Sequence, residues 1–215
     1  MDNTGGIYLT GEDGEQQPLY VPHPKQLEYH ARTEPNVLFW GGRGSGKSLC
    51  GRWDAHMRAL AHPGYSYVIL RRNYPELQRS HLRYINQEMK QLGGFFHHTD
   101  RIAHYPNGSR GYFSHCNTEE DVLNLLGAEF CLAYFDELST FEWDMFTKLA
   151  ASVRVPMNSG LTALVRASTN PLGPSAQQLM RYFVTKDVDA EEDPDYNPND
   201  WYNIHANLVD NPSLD

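Results

Sequence analysis

The chain has 215 residues, a size that fits one large domain, and its 40 % hydrophobic and 12 % aromatic content can build a sizeable core. A net charge of −9 excludes a surface that is basic throughout, while leaving open a local basic groove for nucleic acid. No run of about 18 apolar residues occurs, so no helical membrane span is expected, and the polar Met1–Gln17 stretch lacks the basic start and apolar run of a secretory signal.

In chain order, Asn36–Trp40 reads as a buried strand and Lys47–Ala61 as the helix after it. Tyr67–Leu70 is a second strand and Pro75–Gln91 a second helix. Ile102–His104 and Gly111–Ser114 flank the turn signal Pro106-Asn107-Gly108, which predicts a hairpin. Glu119–Leu126 reads as a short helix, Phe130–Phe135 as the next buried strand and Leu161–Ala167 as another. Gln177–Phe183 is helical, and Trp201–Ala206 supplies a last strand after the acidic loop Asp187–Asp200, expected to be solvated and mobile. Short apolar runs alternating with helical stretches imply an α/β fold. The cysteines Cys50, Cys116 and Cys131 are odd in number and form no CxxC, which fits a reduced, intracellular protein.

The octet Gly41-Gly42-Arg43-Gly44-Ser45-Gly46-Lys47-Ser48 satisfies GxxxxGK[ST] at every fixed position, between a strand and a helix. Glycines there let successive N–H groups turn inward on phosphate oxygens, and the helix N-terminus adds its positive end. Lys47 would reach the β- and γ-phosphates of ATP, and Ser48 would place a hydroxyl on Mg²⁺. Arg43 would either contact the γ-phosphate or face solvent. The strand Cys131–Phe135 ends in Asp136 and Glu137. Asp136 would join the Mg²⁺ shell and Glu137 would polarise the attacking water, a role that a purely nucleotide-binding protein does not need. The distance in sequence between the two motifs leaves room for another strand–helix unit. Ser168, Thr169 and Asn170 follow a strand and would either sense the γ-phosphate or cap the turn at Pro171.

Taken in order, these motifs resemble the large terminase subunit of tailed bacteriophages. The resemblance runs from about Pro22 to the end and rests on PHPKQ (Pro22–Gln26), the glycine octet, Arg71-Arg72 and NGSRGYF (Asn107–Phe113). It continues with LLGAEFCLAYFDE (Leu125–Glu137), the STNP segment and DNPSL (Asp210–Leu214).

The resemblance implies a P-loop NTPase of the additional-strand, catalytic-glutamate type: a central, mostly parallel sheet flanked by helices, with a β-hairpin insertion. Residues 1–20 would be an N-terminal extension, 21–209 the ATPase domain, and 210–215 the start of a linker towards a nuclease domain that this chain does not contain. Gln26 would read adenine, Arg43, Lys47 and Glu137 would be catalytic, and Ser168, Thr169 and Asn170 would couple nucleotide state to DNA movement. It further implies double-stranded DNA, a portal protein and a small terminase subunit as partners. A homo-oligomeric ring, a pentamer when assembled and a monomer as an isolated domain, would work in the host cytoplasm and transiently on the procapsid, hydrolysing ATP without nuclease activity from this chain. Relatives carry a basic residue, in some an arginine finger, where this chain has Leu126, so Arg79, Arg83, Arg101, Arg110 and Arg154 remain candidates. The rival readings are a helicase- or recombinase-type ATPase and an assembly module that binds ATP with little hydrolysis.

Weaker signals are read more plainly. His97-His98 and His115-Cys116 lack tetrahedral-zinc spacing. Trp40, Trp53, Trp143 and Trp201 lie in or beside apolar elements and are read as core rather than base-stacking platforms. The arginines between Arg71 and Arg83 fit either phosphate or neighbour contacts, or a solvated helix face.

Overall fold

The computed structural model describes residues 5–10, 14–157 and 159–212; parts of the N-terminal extension, and Ser213 and Leu214 of the DNPSL segment, lie outside the described residues. The elements in chain order begin with β1 (Ile7–Thr10), β2 (Gln16–Tyr20), α1 (Pro24–Ala31), β3 (Asn36–Gly41), α2 (Lys47–Ala61) and β4 (Ser66–Arg71). Next come α3 (Tyr74–Leu77), a π turn (Gln78–Leu82), α4 (Arg83–Gln91), β5 (Phe95–His97), β6 (Ile102–His104), β7 (Arg110–His115), α5 (Glu119–Leu126) and β8 (Leu132–Asp136). Beyond a short 3-10 turn lie α6 (Trp143–Ala151), β9 (Leu164–Thr169), α7 (Ala176–Leu179) with a π turn (Met180–Thr185), and β10 (Trp201–Ala206).

β3, β4, β8, β9 and β10 run parallel in an eight-stranded sheet of order β10-β3-β9-β8-β4-β7-β6-β5. The unit between the motif strands in sequence, β4 and its helix, does not separate them in space. β9, which comes later in the chain, sits between β3 and β8. The predicted hairpin of β6 and β7 is antiparallel around Gly108, whose φ of 82° needs glycine, and it extends the main sheet because β7 pairs in parallel with β4. β5, too short to declare itself in sequence, completes that edge.

Side chains alternate across the sheet as a doubly covered parallel sheet requires. Val68 and Leu70 of β4, with Ala133 and Phe135 of β8, face one core, which includes Phe141, Phe146, Leu149 and Phe183. Tyr67, Ile69, Leu132 and Tyr134 face the other, with Ile85, Met89 and Phe113. Helix α2 lies on this second face, where Gly51 admits the Tyr134 ring: a Cβ at Gly51 would come within 2.0 Å of it.

The N-terminal hairpin packs on α2 through Tyr20, whose ring stacks on Trp53 at 5.1 Å. Trp40, Trp143 and Trp201 are half-buried against the first core. All three cysteines are buried and free. The acidic loop is exposed over most of its length but more tethered than its composition implies. Arg181 pairs with Glu192 at 2.7 Å, and Tyr196 packs against Tyr182 and Trp201. Among the described residues no helix is long and apolar enough to cross a membrane.

Candidate nucleotide-hydrolysis site

Parallel strands deliver β3, β9 and β8 to the same edge of the sheet, so the three motifs meet at their C-terminal tips. Register fixes the alignment: Ser168 lies beside Asp136 on one side, and Thr169 lies beside Trp40 on the other. The glycine loop spans from β3 to α2, with positive φ at Gly41 (132°), Gly44 (87°) and Gly46 (77°). Gly41 has a second constraint, because a Cβ there would fall 1.9 Å from the Ala206 carbonyl oxygen. These two requirements, positive φ and close backbone approach, account for glycine in the turn.

Lys47 opens α2 and is buried. Its Nζ donates to the carbonyls of Gly41 (3.0 Å) and Gly42 (2.8 Å), to Ser45 Oγ (3.2 Å) and to Asn170 Oδ1 (3.1 Å). Burial pulls the Lys47 ammonium below its ordinary value, and the charges of Glu137 and Asp136 oppose that fall. Arg43 is exposed at the mouth of the loop. Gln26, on α1, is buried: it accepts the His23 N–H at 2.9 Å and donates to the Gly46 carbonyl at 3.3 Å. It is therefore tied to the start of the glycine-loop helix rather than lying on a helix surface.

Asp136 is fully buried and receives contacts on both oxygens. Ser48 Oγ donates to Oδ1 at 2.9 Å, Ser168 Oγ at 2.6 Å, and the Tyr134 hydroxyl lies 3.2 Å away. His81 Nε2 lies 2.9 Å from Oδ2, and Arg71 Nε pairs with the same oxygen at 2.7 Å, its N–H not aligned as a hydrogen bond. Burial opposes ionisation, but the His81 hydrogen bond and the Arg71 charge outweigh it and hold the carboxyl far below the usual range. Asp136 is thus an anion in a dry setting. Ser48 and Asp136 supply hard oxygen donors within hydrogen-bond distance of each other, a donor set that suits Mg²⁺.

Glu137 turns the chain with φ 58°, a left-handed conformation that costs roughly 1–3 kcal/mol for a side-chain-bearing residue and recurs at active sites. Its carboxylate accepts the Asn170 backbone N–H at 3.0 Å and lies 3.3 Å from the Asn170 side-chain nitrogen. Asn170 therefore bridges Lys47 and Glu137. Burial, with the nearby Asp136 charge, raises the Glu137 carboxyl despite the Asn170 hydrogen bond. Thr169 does not face this cleft; its hydroxyl donates to Ser139 Oγ at 2.7 Å and fixes the turn after Glu137.

Position in the chain groups Arg71 with Arg79 and Arg83 as contacts for phosphate, for a neighbour or for solvent. Arg71 instead ends β4 and turns into the site onto Asp136. Arg79 and Arg83 are exposed on the helix that follows. Of the other finger candidates, Arg110 is exposed, Arg154 pairs with Glu129 at 3.2 Å and Arg101 lies over the Tyr74 ring, while Leu126 is half-buried beside the first core. His81 carries no local signal, being a lone histidine inside a helical pattern.

The family described as phage terminase large subunit matches residues 34–215. No curated protein sequence matches the chain. Among solved structures, the large terminase from a thermophilic bacteriophage is similar with a TM-score of 0.71 at 17 % identity, over 90 % of this chain and 47 % of that one. A crystal form of the same terminase in complex with ADP has a TM-score of 0.62 at 17 % identity over the same shares. The ATPase domain of the Thermus phage P74-26 large terminase is similar with a TM-score of 0.63 at 17 % identity, over 87 % of this chain and 81 % of that one. This chain thus spans about half the length of the thermophilic-phage terminase. With a family match over most of its residues and the terminase ATPase fold, the chain belongs to the phage terminase large subunit family.

Proposed function

We propose that this chain is the ATP-hydrolysing motor domain of a terminase that drives double-stranded DNA into a procapsid. The observation that carries the reading is the convergence of Ser48 on Asp136 at 2.9 Å with the Lys47–Asn170–Glu137 bridge. One triphosphate laid along the glycine loop would meet a metal-binding pair and a water-activating carboxylate together. The ADP complex of the thermophilic-phage terminase supports a nucleotide in this fold.

In this reading the loop N–H groups and the α2 N-terminus hold the β- and γ-phosphates, and Lys47 moves its donors from the loop carbonyls to phosphate oxygens. Mg²⁺ held by Ser48 and Asp136 would neutralise phosphate charge during transfer. Glu137, oriented by Asn170, accepts a hydrogen bond from the attacking water. Arg43, at the loop mouth, reaches the γ-phosphate edge, and Gln26 reads adenine from beside Gly46. Ser168 and Asn170 touch the acids directly, so a change at the phosphate would be felt in β9 and the turn after it. A portal protein, a small terminase subunit, sibling subunits in a ring and the host cytoplasm complete the setting.

Turnover of ATP by the purified chain, alone and with procapsids and DNA, tests the proposal. Hydrolysis that Lys47→Ala abolishes, and that packaging components stimulate, is expected. Turnover unchanged in Lys47→Ala would contradict it, and strand separation in place of stimulation would favour a helicase-type ATPase.

A further inference from the structure

Behind Asp136 lies a buried polar chain that the nucleotide reaction does not by itself require. Arg52, on α2 five residues past Lys47, is 2 % exposed and grips Glu88 of α4 with two parallel hydrogen bonds, Nε to Oε2 at 2.7 Å and Nη2 to Oε1 at 2.8 Å. Its remaining nitrogen, Nη1, donates to the Ser80 carbonyl at 3.2 Å and to His81 Nδ1 at 3.3 Å. Glu88 also meets His56 Nε2 at 3.3 Å. The chain thus ties the helix that carries Lys47 and Ser48 to the helix that carries His81, with Asp136 at its end.

The chemistry of Arg52 settles how His81 is wired. A guanidinium has donors only, so the imidazole nitrogen facing it must offer a lone pair. Nδ1 is then unprotonated, and the ring proton sits on Nε2, aimed at Asp136 Oδ2 at 2.9 Å. His81 is a one-way donor to the acid. The backbone helps: His81 belongs to the π turn Gln78–Leu82, one wide turn between α3 and α4, and such turns shift the angular phase of side chains and gather at functional sites. The ring is wholly buried between Arg52 and Asp136.

We propose that His81, its tautomer set by Arg52 and Glu88, is a positioning residue for Asp136: it occupies Oδ2 and turns Oδ1 towards Ser48, where a divalent cation would sit. Ser48 and Ser168 address Oδ1, while His81 and Arg71 address Oδ2, so the two oxygens have separate duties. Outer groups of this kind orient an inner ligand without touching the metal, and their loss typically weakens metal binding by about 10- to 100-fold. The inference rests on the nucleotide-site reading above.

The test separates metal-dependent from metal-independent nucleotide binding, using a fluorescent ADP analogue titrated in EDTA and then against Mg²⁺. His81→Ala is expected to bind the analogue in EDTA within about twofold of wild type, since the glycine loop is untouched, and to need roughly tenfold or more Mg²⁺ to reach half of the metal-dependent gain. His81→Gln, whose amide nitrogen reaches about as far as Nε2, is expected to recover most of that loss. His81→Asn is equally polar but too short to reach Asp136 and should not, so the Gln–Asn contrast decides the matter even where Ala compromises folding. A Mg²⁺ midpoint in His81→Ala within twofold of wild type, or equal midpoints for Gln and Asn, overturns the inference. Failure of the wild-type chain to bind the analogue at all would instead overturn the nucleotide-site reading.

Discussion

Asn170 donates its backbone N–H to the Glu137 carboxylate at 3.0 Å, and its side-chain oxygen takes a hydrogen bond from Lys47 at 3.1 Å. One residue at the tip of β9 therefore holds Lys47 and Glu137 in register, the residues proposed to bind phosphate and to activate water. Asn170→Ala keeps the backbone bond and removes the side-chain bridge. Steady-state kinetics should show kcat lowered roughly 10- to 100-fold by misorientation, with KM changed far less. A larger change in KM than in kcat would mean that Asn170 serves binding instead.

The Glu137 carboxyl is raised above its ordinary value of 4.5, by burial first and by the Asp136 charge second. As the proposed base it would act only when ionised. The single-turnover rate should rise with pH through this elevated value and level off above it, placing the acid limb above 4.5. An acid limb at or below 4.5 would contradict the assignment. The same shift means that Glu137, once ionised above its unfolded pKa, subtracts from stability.

Glu88 behaves in the opposite sense. Burial disfavours its charge, but hydrogen bonds from His56 and Arg52 bring its carboxyl down to about 2. Its contribution, on the order of a few kcal/mol, is fully present above the unfolded pKa and is lost as pH falls towards 2. Asp136 and Asp54 are depressed as well and act in the same direction. Urea midpoints should fall between pH 5 and pH 3, and Glu88→Gln should show a shallower fall from a lower start.

Gly51→Ala places a methyl within 2.0 Å of the Tyr134 ring in the middle of the α2–sheet contact. Overpacking of this kind costs about 1–3 kcal/mol. Tyr134 also lies 2.7 Å from Ser168 and 3.2 Å from Asp136, so its displacement should disturb the site. Thermal denaturation should show a lower midpoint, accompanied by weaker Mg²⁺-dependent nucleotide binding.

Much of this site can be read from local sequence because its chemistry is local. A glycine loop between a strand and a helix must present N–H groups, and two acids after a buried strand must emerge at its tip. The strands β3, β4 and β8 declare themselves by short apolar centres, while β10 mixes aromatic and aliphatic residues with Asn203 and His205. Arg71 and His81 do not, since their importance comes from meeting Asp136, which is 55 residues beyond His81. A π turn, invisible in the helical periodicity of Pro75–Gln91, aims His81 inward. Strand order is likewise hidden: β9 enters between β3 and β8 from later in the chain, and only pairing reveals it. Helix α6 has a faint signal, with Phe146 and Leu149 three residues apart on its buried face, too sparse to set it apart from the flanking turns. The three-residue β5 has too little pattern to read at all.

The glycine loop and the acids at the end of β8 act, on this account, on one ATP. Glu137→Gln tests that most directly, with nucleotide affinity and single-turnover hydrolysis measured on the same preparation. The account predicts ATP affinity close to wild type and a hydrolysis rate lower by about 10²- to 10⁴-fold. Equal hydrolysis rates in the two proteins would show that the attacking water is activated elsewhere.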